Sequence, residues 1–218
     1  AFKTLQIQAI ETADIQALTT RNLAAMDSGQ IRALTTAQVA ALSVDQVPNL
    51  ITDHIAALSS VQVAALETSD IAVLTTRQIV TFNATQLKAL TTAQIAGLTS
   101  VQVASLTTDQ VLALTSEDVQ ALSLVQIKSL RTDQVAALET ADIAAISSKL
   151  ISGLSSSQFA ALTTAQIGSL TTAQLSALGV QIPSLSQSQV RGLTTAQLSS
   201  LSLASFKKLT AEALSGLS

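Results

Sequence analysis

Few residues in this chain could do chemistry, and their spacing decides what that chemistry could be. His54 is the single histidine and Met26 the single methionine, while cysteine, tryptophan and tyrosine are absent. Metal and haem sites draw on sets of His, Cys, Met or Tyr ligands. One histidine cannot assemble such a set. Acid–base work needs paired carboxylates, or a base beside a nucleophile. The chain offers Glu11 with Asp14, Glu67 with Asp70 and Glu139 with Asp142. Each pair falls at one place in a repeating pattern, so the pairs read as acidic helix starts, which the macrodipole favours. His54 reads as a substitute cap or a surface residue. Calcium would want more oxygen ligands. Serine and threonine abound, but no His or Lys stands ready to activate one, and no Gly-rich phosphate loop occurs. The expectation is a protein with no catalytic residue, no cofactor and no metal, and no enzyme activity.

The elements that hold these residues are set by one eight-residue unit. It is plainest in Leu90–Leu106, LTTAQIAGLTSVQVASL, where two copies run together. A large aliphatic comes first, then two small hydroxyls, a variable residue, a Gln, a β-branched aliphatic and two small residues. Thr91 followed by Gln94 is a capping box: the Thr oxygen accepts from the third helical amide, and the Gln reaches back to the amide of the cap. Leu90 and Ile95 form the matching hydrophobic staple. Thr107 with Gln110 and Thr163 with Gln166 repeat the box. The helix begun at Thr92 can run only to about Leu98, because Thr99 starts the next signal; that is under two turns at about 3.6 residues per turn.

Two other readings, a long helix and a β-solenoid, fit the spacing less well. In one continuous helix, eight residues advance about 800°, so the apolar stripe would wind round the rod without a fixed seam. In a strand, aliphatic spacings of five and three fall on opposite faces, and Ala and Gln are poor strand residues. The fold class expected is therefore all-α, a solenoid or superhelix of about 27 octads, each a short N-capped helix. Its core should hold Leu90, Ile95, Leu98, Val103, Leu106, Val111 and Leu114. One octad cannot fold alone. Two buried aliphatics at about 1.5–3 kcal/mol each do not offset about 1–2 kcal/mol of backbone entropy per ordered residue, so stacked octads must share a core.

The leading aliphatic recurs every eight residues from Phe2 to Leu178. Residues 1–178 thus read as an uninterrupted octad solenoid. From Leu178 to Leu185 the step is seven, and octads then resume, so 179–218 reads as the same solenoid after a one-residue register break. Pro48 and Pro183 occupy late-helix positions, where proline shortens or kinks a helix. The residue before the leading aliphatic is small, as at Ala57, Gly97 and Gly153, which implies close approach of a neighbour. Arg21, Arg77, Asp109, Asp133, Lys88 and Lys128 take variable positions and should face water. The sequence shows no convincing longer period and does not say how many octads make one superhelical turn.

Composition excludes several classes. A formal charge of −3 with 11 Lys and Arg gives no basic stripe for nucleic acid. Hydroxyls and Gln interrupt every octad, so no run approaches the roughly 18 apolar residues of a spanning helix. The start, Ala1-Phe2-Lys3, has neither an initiator Met nor a signal peptide and reads as a processed chain or a piece of a longer one.

Tandem LTTAQ[IV]xAL octads resemble the repeat regions of very large bacterial secreted or surface proteins, often described as adhesin-like, and the likeness covers nearly the whole chain. The resemblance implies an extracellular structural role at the bacterial cell surface, as the stalk of an adhesin or a self-assembling filament or sheath subunit. The implied partner is a second copy joined head to tail, or neighbouring repeats of a longer chain, with no nucleic acid and no membrane insertion. The alternative is a solenoid binding module for a peptide, a glycan or a surface, ice being the remotest.

Overall fold

The computed structural model describes residues 3–179 and 181–217. Phe2, the first expected leading aliphatic, lies outside them. Twenty-five α-helices of four to six residues, with three short 3-10 turns among them, run in sequence along the described residues, and no strand occurs there. The chain is an all-α solenoid of tandem short helices.

The octad explains each helix and its end. In octad 83–90 the helix is Ala84–Ala89, and Leu90 closes it with φ −61° and ψ 137°. Its amide bonds back to the Leu87 carbonyl at 3.1 Å. Thr91, the next N-cap, is again extended at φ −72° and ψ 155°. Two extended residues, a leucine and a cap, thus redirect the chain between helices. None of the described residues has a positive φ, so these ends do without the left-handed glycine that closes many helices. The two proline octads depart from the pattern. Val47–Asn49 and Ile182–Ser184 are three-residue 3-10 turns, because proline removes an amide that α-helical bonding needs.

The chain forms two compact units, Ala1–Leu114 and Thr115–Ser218. In the first, the second aliphatic of each octad is sealed: Val63, Ile71, Ile95 and Val103 have no exposed surface. The leading leucines lie beside them, buried from Leu34 onward, whereas Ile10, Leu18 and Met26 are half-buried. Helices pack on those three octads away, Ser28–Ala33 on Thr52–Ala57 and Ser60–Ala65 on Ala84–Ala89. Hydrogen bonds reach four octads back, as from Gln94 to Val63. One superhelical turn therefore takes between three and four octads. The small residues sit where turns touch: a Cβ at Gly97 would run into the Thr68 side chain.

The second unit repeats this arrangement. Ser116–Ala121 packs on Thr140–Ala145, and that helix on Thr164–Ser169. A Cβ at Gly153 would run into Leu124. The seven-residue step lies inside this unit. Before it, Gln174 bonds to carbonyls 31 and 28 residues back; after it, Gln189 bonds to carbonyls 30 and 27 back. The missing residue shortens the count but leaves the bonding pattern in place.

Candidate functional site

The most elaborate polar constellation in each unit is the column of buried glutamines. Gln94 shows how it is built. Its Oε1 accepts from the Thr91 amide at 2.7 Å, while its own amide donates to Thr91 Oγ1 at 3.2 Å. Its Nε2 then donates to two carbonyls of the octad four before, Leu66 at 2.6 Å and Val63 at 3.2 Å. Both lie at the end of a helix: Leu66 has no other partner there, and Val63 also accepts the closing Leu66 amide at 3.2 Å. One side chain thus satisfies an orphan amide at the start of its own helix and, at the end of another, the orphan Leu66 carbonyl together with the free lone pair of Val63. The roles of oxygen and nitrogen follow from the partners, since amides can only donate and carbonyls only accept.

The same bridge recurs at Gln38, Gln46, Gln62, Gln78, Gln86, Gln102 and Gln110 in the first unit. In the second it recurs at Gln158, Gln166, Gln174, Gln189 and Gln197. Gln166 pairs with the Thr163 amide at 2.8 Å and with the Leu138 carbonyl at 2.7 Å; Gln110 pairs with the Thr107 amide at 3.0 Å and the Ile79 carbonyl at 2.8 Å. Leu90, Ile95, Leu98, Val103, Leu106, Val111 and Leu114 are all at most 7% exposed and wall this column. The capping half of the glutamine's work is visible in its spacing from threonine. The second half is not, because it depends on residues about 30 positions away. Gln6, Asp14 and Asn22, in the first three octads, are exposed.

Several places depart from the bridge, and four show why. His54 is 1% exposed, so it is not a surface residue, and it does not cap its helix, whose N-cap is Ile51. Its Nε2 lies 2.8 Å from the Met26 carbonyl and must carry the proton there; its Nδ1 is buried without a partner. Imidazole is too compact to reach back to its own cap as Gln does. Asp70 accepts the Glu67 amide at 2.9 Å, but a carboxylate has no hydrogen for the Val39 and Leu42 carbonyls at the equivalent places. Burial pushes its carboxyl above the usual range, a backbone hydrogen bond from Glu67 opposing this and the Glu67 charge adding to it. Asp142 accepts the Glu139 amide at 3.0 Å and the Ser116 hydroxyl at 2.7 Å. Gln181, in the shortened octad, donates at 3.4 Å to Ser152 and Leu154 and leaves its Oε1 buried and unpaired.

Among the described residues, no group of three or more His, Asp or Glu side chains is placed to hold a metal ion, and no helix is long and apolar enough to cross a membrane. The surface depressions are shallow and repeat with the turns. One, of about 350 Å³, lies between Pro48, Leu50, Ile51 and Thr52 on one turn and Thr75, Arg77 and Gln78 on the next. What this architecture provides chemically is cohesion between turns.

Comparison with known proteins agrees with the repeat. The family model described as the ALTTAQ repeat matches six times, at residues 7–44, 23–60, 63–100, 84–116, 112–148 and 135–172, which together span well over half of the chain. No curated protein matches it.

Proposed function

The chain belongs to the ALTTAQ repeat family, and from that premise we propose that it is a structural protein of the bacterial cell surface, without catalysis, serving as an adhesin stalk or as a self-assembling filament or sheath subunit. The observation that supports this reading most is the glutamine bridge. It is renewed at each turn with the same two acceptors, so octads add one by one without a change of design. Its partner, in this reading, is a second copy joined end to end or neighbouring octads of a longer chain. The second reading, a solenoid that binds a peptide, glycan or surface, would use the inter-turn depressions such as that at Arg77.

Electron microscopy of the purified chain over a concentration series tests the proposal. Filaments of constant width that lengthen with concentration select the subunit, and slender particles of one length select the stalk. Compact, rounded particles at every concentration overturn both.

A further inference from the structure

The second residue after the cap position of each octad is exposed through most of the first unit, and its charges there are ordered by turn. Arg21 stands on the first turn. Its octad is tied to the next turn twice, by packing of Thr20–Ala24 on Val47–Asn49 and by the bond from His54 to Met26. That next turn carries Asp45 and Asp53. It is tied in turn to the octad of Arg77, since Gln78 donates to the Val47 and Leu50 carbonyls and Arg77 shares a depression with Ile51 and Thr52. Gln110, bonded to the Ile79 and Phe82 carbonyls, places Asp109 one turn further. Along the unit, one column runs Arg21, then Asp45 with Asp53, then Arg77, then Asp109. The sign alternates with each turn. Arg21 to Arg77 and Asp53 to Asp109 are each 56 residues, which is seven octads or two turns. All five side chains are exposed, and none makes an ion pair among the described residues.

We infer that this column is a self-complementary lateral contact, and that its occupant is a second copy of this chain lying antiparallel alongside. An even, alternating series read backwards is its own complement. A two-fold axis between the second and third turns sets Arg21 against Asp109 of the second copy, and Arg77 against its Asp45 and Asp53. Parallel copies in register would set like charges face to face, which costs free energy. A two-fold contact uses the same patch on both copies and closes at two. It is independent of end-to-end joining and of the structural reading above. Exposed ion pairs contribute only about 0–1 kcal/mol each, so the contact is weak and is governed by salt.

Analytical ultracentrifugation of the full chain tests this. We expect a dimer at an ionic strength of roughly 0.01 M, where the Debye length is about 30 Å, and a monomer at roughly 1 M, where it is about 3 Å. Arg21→Glu with Arg77→Glu should be monomeric alone at low salt, and so should Asp45→Lys with Asp53→Lys and Asp109→Lys. An equimolar mixture of the two should form the heterodimer. The milder Arg77→Gln, which leaves folding least disturbed, should raise the dimer Kd about tenfold, or about 1.4 kcal/mol. The inference is overturned if the wild-type chain has one oligomeric state at both salt levels, if either charge-reversed chain dimerises alone, or if their mixture stays monomeric.

Discussion

Octads 91–98 and 51–58 lie in the same unit and bury their closing leucines equally, Leu98 and Leu58 each being 4% exposed. Their polar centres differ. The Gln94 side chain makes one bond to its own cap and three to the turn beneath, the longest at 3.4 Å to Ala64, whereas His54 makes one bond to the turn beneath, none to its own cap, and leaves a ring nitrogen buried and unpaired. Both octads nevertheless adopt a short helix, Thr52–Ala57 and Thr92–Ala96. Hydrophobic burial is therefore enough to place an octad, and the amide bridge determines how firmly neighbouring turns are held.

Packing gives the largest expected effect and the first way to break this comparison. Leu98→Ala and Leu58→Ala should each cost about 2–5 kcal/mol in urea unfolding, and by similar amounts. A marked inequality would mean that the two octads differ in packing and not only in their polar centres. Gln94→Leu comes next. It keeps the volume but strands the Thr91 amide and the Leu66 carbonyl, so a loss of about 3 kcal/mol is expected. A neutral result would show that water takes over those groups and that the bridge is not what joins turns.

His54→Gln runs the comparison backwards. Glutamine can bond to the Ile51 amide and keep the Met26 carbonyl, which should raise stability by about 1–2 kcal/mol; an unfolding midpoint unchanged or lowered would refute the account of His54 as an incomplete bridge. The smallest effect is a pH dependence at Asp70. Because burial raises its carboxyl in the folded chain, the folded state binds the proton more tightly than the unfolded state. Its stabilising contribution is then full below the ordinary value of 3.8 and is lost as pH rises through the raised folded value. Asp70→Asn should abolish that step in a series of urea midpoints taken across the acidic range. A step that survives the substitution must belong to another group.

Much of the fold is legible in the local sequence. The cap at Thr91, the reach of Gln94 back to it, the staple of Leu90 and Ile95 and the short helix that follows all lie within eight residues. The shortened turns at Pro48 and Pro183 follow equally locally from a missing amide. His54 is a different case: its spacing suggests a cap or a surface residue, yet its environment is made by the third octad, a part of the chain with no sequence link to it. The bridging role of glutamine is hidden for a related reason, since spacing alone does not separate a capping amide from one that also serves a neighbouring turn.

By itself, then, the sequence determined the octad, its helix, its apolar residues and the need to stack, because each arises from interactions inside one repeat or from a repeat's inability to bury itself. Only the tertiary structure decided that a turn takes between three and four octads, that Gln94 answers to Val63 and Leu66, and that Arg21 shares a column with Arg77. Near-identical octads carry no label saying which will meet which. That choice is made by the angle at which two extended residues turn each short helix, summed over some 30 positions, and by the carbonyls that come within reach of an amide there.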